Sequence, residues 1–174
     1  MTPGVIPQPA QSPAGASAQA RPKPSRRSDA LPTGTVTFVF TDIEGSTRLA
    51  SELGPATYGR LLEQHHRLLR TAFAAHGGVE RGTQGDSFLV VFRDARSAVA
   101  AAVEAQRALA GTSWPADAVV RVRMGLHSGE GIAGGDDYVG IDINRAARIA
   151  AAGHGGQVLV SDATRALAEL DLPA

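Results

Sequence analysis

Two adjoining segments decide the fold: Thr35-Val-Thr-Phe-Val-Phe-Thr41 and Asp42-Ile-Glu-Gly-Ser-Thr47. The first is rich in β-branched and aromatic residues and is short enough for a buried strand. The second is a cluster of turn-forming residues, in which Ser46 or Thr47 is placed to cap a following helix. The pattern therefore predicts a strand that ends at an acid, Asp42, and then turns into a helix.

The chain continues in the same alternating style on the C-terminal side. Apolar residues recur at helical spacing from Pro55 to His76, and Gly77-Gly78 stops that helix. Two apolar strands, 79–83 and 87–92, are joined by Thr83-Gln-Gly-Asp86, which predicts a hairpin with Asp86 at its tip. The remaining predicted elements are helices at 94–110 and 142–152, strands at 119–126 and 157–160, and a last helix that Ser161 caps and that runs toward Leu170.

The element order β-α-β-β-α-β-α-β-α predicts an α+β domain, with a ferredoxin-like sheet and helices packed on one face. We expect this domain to cover residues 34–174. Residues 1–33 hold seven of the ten prolines and a small basic cluster, which predicts a disordered leader.

Composition narrows the function classes. The chain has 17 basic and 17 acidic residues, so there is no electrostatic footprint for nucleic acid or an anionic membrane. Cysteine is absent, which excludes disulfides, thiolate metal sites and cysteine nucleophiles. No apolar run approaches the ~20 residues of a membrane helix, and a signal-peptide core is missing. We expect a cytoplasmic protein without membrane insertion.

Two acids are placed for metal chemistry. Asp42 follows an apolar strand, and Asp86 lies at the tip of an apolar hairpin. Two carboxylates on neighbouring strands can share a pair of divalent ions ~3.5–4 Å apart, as in phosphoryl displacement. Oxygen ligands without cysteine favour Mg²⁺ or Mn²⁺ over zinc. The alternative is that each acid is only a turn residue.

Two further segments offer donors to a nucleotide. The turn after Asp42 leads into a helix N-terminus, whose amides and dipole attract phosphate; its residues are Ile43, Glu44, Gly45, Ser46 and Thr47. Asn144 and Arg148 are four residues apart and share one helix face. Such a face offers donors to ribose and to charge on phosphate, although a solvated helix face is the simpler alternative.

Four segments then form a recognisable set: Val39-Phe-Thr-Asp-Ile-Glu-Gly-Ser-Thr47, Thr83-Gln-Gly-Asp-Ser-Phe88, Gly125-Leu-His-Ser-Gly129 and Tyr138-Val-Gly-Ile-Asp-Ile-Asn-Arg-Ala-Ala-Arg148. In this order they strongly resemble the catalytic domain of class III nucleotidyl cyclases, over nearly all of residues 34–170. The resemblance implies conversion of ATP or GTP to the 3′,5′-cyclic nucleotide and pyrophosphate, a phosphorus-oxygen lyase reaction used in cyclic nucleotide signalling.

The same resemblance implies the site. Two Mg²⁺ or Mn²⁺ ions would be held by Asp42 and Asp86, with the carbonyl of Ile43 touching one of them. Asn144 would position the ribose, and Arg148 would stabilise the transition state on phosphate. These last two would come from the opposite protomer, so that two sites lie at the interface of a homodimer.

The sequence departs from the family pattern at two places. Members that select adenine usually carry a lysine where Gly82 stands, paired with an acid that matches Asp137. Arg81 is adjacent, but alternation along a strand should direct it to the opposite face. The family domain also continues into a hairpin with a phosphate-binding lysine, whereas the last lysine here is Lys23. We therefore expect a domain truncated at its C-terminus, without that hairpin and that contact.

Three functions remain open from the sequence. The first is an active purine nucleotide cyclase. The second is a weak or inactive cyclase-homology domain that binds nucleotide or mediates dimerisation. The third is a purely structural interaction domain, against which both acids and Arg148 argue, because a scaffold has no use for them.

Overall fold

The computed structural model describes residues 31–135 and 137–169 of the chain. The predicted leader falls almost entirely outside these residues. So does Leu170, the predicted end of the last helix.

Strands and helices alternate much as the sequence predicts. In chain order they are β1 (Gly34–Ile43), α1 (Ser46–Ala75), β2 (Val79–Gln84), β3 (Ser87–Phe92), α2 (Ala95–Ala110), a short 3-10 turn (Pro115–Asp117), β4 (Val122–Gly134), β5 (Asp137–Val139), α3 (Ile141–Ala152), β6 (Val158–Val160) and α4 (Asp162–Ala168). The strand β5 was not predicted, because its three residues lie beside a glycine-rich stretch with no strand pattern of its own.

Antiparallel pairing joins the first four strands in the order β2-β3-β1-β4. The far side of β4 is shared by two short strands. Parallel β6 pairs with its first half at 124–126, and antiparallel β5 pairs with its end at 132–134. In the register between β1 and β4, Asp42 lies directly opposite Arg123. The end of β1 thus lies between the β2–β3 turn and the start of β4.

The helices occupy both faces of the sheet, which differs from the predicted single helical face. Helices α1 and α2 pack on the side of Val39, Val90 and Met124. Helix α3 packs on the opposite side, where Ala146 joins Phe38 in a second cluster. The close approach of α3 depends on glycine, because a Cβ atom at position 125 would lie 2.1 Å from the backbone nitrogen of Ala150.

Helix α1 begins earlier than predicted. A kink at Gly54, with φ 71°, joins a first segment that starts at Ser46 to the segment predicted from Pro55. The expected cap by Ser46 or Thr47 is not formed. Instead the cap position is Gly45, in the left-handed conformation with φ 68°, and no side chain of the described residues caps this end. Across the described residues, no helix has the length and apolar character needed to cross a bilayer.

Candidate active site

The first part of the candidate site is the acid edge, which we define as Asp42, Ile43, Asp86 and Arg123. Asp86 lies in the two-residue turn between β2 and β3, as predicted, and its Oδ2 accepts the N–H of Ile43 at 2.7 Å. Since Ile43 follows Asp42, this bond ties the turn acid to the residue beside the strand acid. The structure therefore brings the two predicted carboxylates to one edge of the sheet.

Arg123 is the residue of this edge that sequence reasoning missed. Its Nε and Nη2 donate to the two carboxylate oxygens of Asp42 at 2.5 and 2.9 Å, in a bidentate pair. Hydrogen bonding to Asp42 raises the pKa of Arg123, and the charges of Asp42, Glu44 and Asp86 add to the effect. The positive charge of Arg123 therefore offsets part of the negative charge of Asp42, Glu44 and Asp86. The available signal was a lone charge within the apolar run from Val122 to Leu126.

Two side chains of α1 support the turn that carries Asp86. His66 donates from Nε2 to the carbonyl of Gly85 at 2.8 Å, and its ring packs edge-on to Phe88. Burial raises the pKa of Tyr58, as does the nearby charge of Asp86, while a hydrogen bond with Ser46 opposes them. The hydroxyl of Tyr58 therefore bonds Ser46 at the start of α1 and is affected by the charge of Asp86 in the β2–β3 turn.

The residues of the acid edge fit a magnesium-like ion. Within the described residues there is no cluster of three or more His, Cys, Asp or Glu side chains suited to hold a metal alone. Mg²⁺, however, is usually bound through one or two carboxylates, with substrate phosphates and waters completing its shell. Asp42, Asp86 and the carbonyl of Ile43 are such an oxygen-only set.

The predicted phosphate turn lies next to this edge. Glu44 and Gly45 are exposed, and the backbone N–H of Glu44 donates to the carbonyl of Arg121 at 2.9 Å. The left-handed Gly45 then reverses the chain, so that α1 begins at Ser46, with the exposed Thr47 next. The first-turn amides of a helix attract anions, and here they start three residues after Ile43.

The second part of the candidate site is formed by Asn144 and Arg148 of α3. The C-terminal end of this helix reaches the acid edge, where Nη1 of Arg123 donates to the carbonyl of Ala151 at 3.4 Å. Asn144 is exposed and donates to the carbonyl of Gly140 at 3.2 Å. Arg148 is exposed and lines an open cavity of about 510 Å³ together with His127 and Ser161. Among the described residues that line this cavity, none belongs to the acid edge. Neither Asn144 nor Arg148 forms a described hydrogen bond with the two predicted metal carboxylates: Asn144 bonds the start of its own helix, and Arg148 lines this separate cavity.

Arg81 takes a position that the strand alternation did not predict. Its Nε lies 3.9 Å from Oδ1 of Asp137, and the side chain is largely buried. The register of β2 against β3 shifts between Glu80 and Gly82, so Arg81 is the extra residue of a β-bulge. The expectation that Arg81 points away from Asp137 is therefore wrong, because a bulge breaks the period of two on which it depended.

Comparison with known proteins identifies the family to which the sequence is related. The sequence matches the adenylate and guanylate cyclase catalytic domain family over residues 29–171. An uncharacterized protein of Mycobacterium tuberculosis is 40% identical over 145 residues, which are 82% of this chain and 48% of that protein. An adenylate cyclase of Podospora anserina is 35% identical over 155 residues, which are 75% of this chain and 7% of that protein. The chain spans about half the length of the first relative and a small part of the second.

Solved structures give the same result for the fold. The structure of adenylate cyclases from Trypanosoma brucei in their monomeric state has a TM-score of 0.73 and 29% identity, over 80% of this chain and 79% of that chain. The predicted α+β class and class III cyclase fold are thus confirmed. With the family match over most of its length, the chain belongs to the adenylate and guanylate cyclase catalytic domain family.

Proposed function

We propose that this chain is a purine nucleotide cyclase domain that converts ATP, in preference to GTP, to the 3′,5′-cyclic monophosphate and pyrophosphate. In this reaction the ribose 3′-oxygen bonds to the α-phosphorus, the bond from that phosphorus to pyrophosphate breaks, and the hydroxyl proton leaves to solvent. The observation that carries the proposal is the bond from Ile43 to Asp86, since it gathers two acids beside a phosphate-attracting helix start.

Each residue of the acid edge then has a stated role. Asp42, Asp86 and the carbonyl of Ile43 hold two Mg²⁺ or Mn²⁺ ions, which neutralise the triphosphate and acidify the 3′-hydroxyl when bound. Arg123 pairs with Asp42 here, and its planar guanidinium is equally suited to a phosphate oxygen. We therefore assign Arg123 to the triphosphate once Asp42 is engaged elsewhere.

We further propose that the active form is a homodimer in which α3 of one chain faces the acid edge of its partner. The absence of a contact between Arg148 and the acids within the described part of one chain supports this arrangement, since a second copy could supply Arg148. Beside α3, three large apolar side chains are exposed: Ile132 by 47%, Val139 by 50% and Ile141 by 65%. Ile132 and Val139 are direct cross-strand partners and so form one patch, of the kind that marks an interface.

The preference for ATP rests on Arg81 and Asp137. In the proposed orientation the carboxylate of Asp137 faces position 6 of the purine, where it accepts from the amino group of adenine and would meet the O6 acceptor of guanine, and the guanidinium of Arg81 donates to N1 of adenine. This pair stands where the resemblance implies a lysine and an acid, with the cation moved by one position.

A second candidate is a cyclase-homology domain that binds nucleotide without turnover. Gly82 at the lysine position favours this alternative, because glycine offers no donor at all. The two candidates agree on metal-dependent nucleotide binding and differ only in whether cyclic product forms.

A mixing experiment tests the proposal and its dimer together. Asp42→Ala and Arg148→Ala should each abolish formation of cyclic AMP from ATP and Mn²⁺. Mixed in equal amounts, they should recover about a quarter of the wild-type rate, because half the dimers are mixed and each has one intact site. Failure of the mixture, with an active wild type, would overturn the dimer arrangement. A wild type that binds ATP but forms no product would establish the non-catalytic alternative.

A further inference from the structure

A chain of hydrogen bonds, which we name the His127 chain, connects β1 to the first turn of α3. Its six members are Thr37, Ser128, Thr164, Ser161, His127 and Asp142. Successive side chains are joined at 2.8, 3.1, 3.0, 2.9 and 3.1 Å. Four of the six, Thr37, Ser128, Thr164 and His127, are buried. Because a buried hydrogen-bonded network is costly to disrupt, it fixes the positions of the elements that it joins.

The Asp142 end of the chain determines which group donates and which accepts in each of its hydrogen bonds. The carboxylate of Asp142 only accepts, so Nε2–H of His127 donates to it. On the other side of the ring, Nδ1 accepts the proton of Ser161. The oxygen of Ser161 in turn accepts from the backbone N–H of Thr164 at 3.2 Å and from its hydroxyl at 3.0 Å. Each hydroxyl therefore donates toward Asp142, and His127 is held in one tautomer.

The order Ser161, His127, Asp142 is that of a hydrolase triad, but the contacts exclude this role. The oxygen of Ser161 accepts two hydrogen bonds from Thr164, so both of its lone pairs are engaged. Ser161 is also the N-cap of α4. A nucleophile needs a lone pair directed at its substrate. The chain is therefore a support and not a second catalytic centre.

Helix α3 depends on this support because its other attachments are small. All its residues are described, and those that are buried are Ala146 and Ala150. Its cap residue is Gly140, and no side chain of the described residues caps it. Asp142 fills this need, since it also accepts the backbone N–H of Glu130 at 2.9 Å. The first turn of α3 is thus anchored to β4 through a single carboxylate.

We propose that His127 is a positioning residue for nucleotide cyclisation. By holding Asp142, it fixes the rotation of α3 about its axis and its position along β4. It thereby directs Asn144 at the ribose, and Arg148 at the triphosphate, of the nucleotide bound by the other protomer. Arg148 and His127 line the same cavity, so a shift in this anchor is transmitted over a short distance. The inference rests on the proposed function, whose dimer assigns the two α3 side chains to the partner's site.

Two amide variants separate the two sides of the imidazole. The amide nitrogen of glutamine extends about as far as Nε2, so His127→Gln keeps a donor for Asp142. Asparagine extends only as far as Nδ1, so His127→Asn keeps the contact with Ser161 and loses the donor to Asp142, which then retains only the amide of Glu130 on the β4 side. We expect kcat to fall about 100-fold in His127→Asn, as for a misplacement near 1 Å, and less than about 10-fold in His127→Gln. KM for metal-bound ATP should stay within about threefold in both.

A matched control is available at the other end of the molecule. His76 donates from Nε2 to Glu104 at 2.7 Å, which is the same kind of histidine–carboxylate contact but lies between α1 and α2. His76→Asn should leave kcat unchanged. Equal losses in His127→Gln and His127→Asn would overturn the proposal, because the donor to Asp142 would then be irrelevant.

The mixing assay distinguishes positioning of α3 from a general folding defect. His127→Asn mixed with Asp42→Ala should recover about a quarter of the wild-type rate, because the intact site takes its acid edge from the first chain and α3 from the second. His127→Asn mixed with Arg148→Ala should stay inactive, because both chains lack a working α3. The inference would be overturned if cyclase activity were recovered in the mixture of His127→Asn with Arg148→Ala. It would also be overturned if no activity were recovered in the mixture of His127→Asn with Asp42→Ala. If Asp42→Ala and Arg148→Ala fail to complement each other, the proposed dimer fails and the inference fails with it.

Discussion

The acid edge and helix α3 are held in place by different forces. At the acid edge, the interactions are charge-assisted hydrogen bonds. Arg123 donates two of them to Asp42, and Asp86 accepts the N–H of Ile43. Helix α3 is held by close packing of two small buried alanines over a glycine, and by the hydrogen bonds that Asp142 accepts from β4. The acids are therefore fixed by contacts within one chain, whereas Asn144 and Arg148 of α3 are exposed. Under the proposed dimer, these exposed side chains face the partner.

The largest effect should come from removing charge at the acid edge. Asp86→Asn keeps an oxygen for the amide of Ile43 but loses the negative charge that a divalent ion needs. We expect about 10³-fold slower cyclisation, the size of a lost electrostatic contact in a transition state. Product formation at saturating Mn²⁺ measures this, and calorimetry should show weakened Mn²⁺ binding. Asp94→Asn, in a turn acid that caps α2 through Ser97, is the control. Equal rates in the two variants would contradict the assignment.

The next effect should come from shape at α3. Gly125→Ala places a Cβ 2.1 Å from the nitrogen of Ala150 and 2.5 Å from its Cα, so the helix must move. We expect a loss of about 3 kcal/mol in the free energy of unfolding, measured in urea, with Mn²⁺ binding at the acid edge retained. Gly59→Ala is the control, since its Cβ meets nothing within 4 Å. An unchanged stability would show that α3 is not seated on position 125.

The contributions of the two regions to folding stability should be lost in different pH ranges. His65 is fully buried against Phe88, below the acid edge, and burial lowers its pKa to about 4 from 6.5. The folded state therefore binds fewer protons than the unfolded state, so stability falls as the pH drops from 6.5 toward 4. The contribution of Asp142, whose pKa is lowered chiefly by the amide of Glu130, is lost only below its usual value of 3.8.

His65→Leu isolates this effect. Between pH 8 and pH 5 the wild type should lose about 2 kcal/mol through His65, and the variant should not lose it. Neither ring nitrogen has a hydrogen-bond partner in the described part of the chain, so leucine should also not weaken the fold at pH 8. Urea unfolding at the two pH values measures both. Parallel losses in the two proteins would show that His65 is not the titrating group.

The smallest effect concerns base choice. Arg81→Ala should reduce the preference for ATP over GTP about tenfold, since one charge-assisted hydrogen bond is lost. Adding Gly82→Lys to this variant moves the cation by one position on the bulged strand and should restore part of the preference. The ratio of kcat/KM for the two nucleotides is the measurement. If the ratio of kcat/KM for ATP to that for GTP is the same in the wild type and in both variants, Arg81 has no part in base recognition.

Local sequence signals predicted the parts of this molecule that depend on neighbours along the chain. The acid at the tip of the β2–β3 hairpin and the Ser161 cap belong to this class, since turn and cap residues act over a few positions. Arg123 was missed because its partner is set by the register of β1 against β4. The face chosen by α3 was missed for the same reason, since only the sheet shows that Gly125 leaves room there.

The bulge in β2 has a consequence for how homologues are annotated. In a sequence alignment, the column that holds lysine in adenine-selecting members holds Gly82 here, so the basic residue is scored as lost. In space, the extra residue gives Arg81 and Gly82 a single opposing residue, so the cation is displaced by one letter and not lost. Under the proposed role of Arg81, the absence of a basic residue from column 82 is not by itself a sign that a domain with this bulge is inactive.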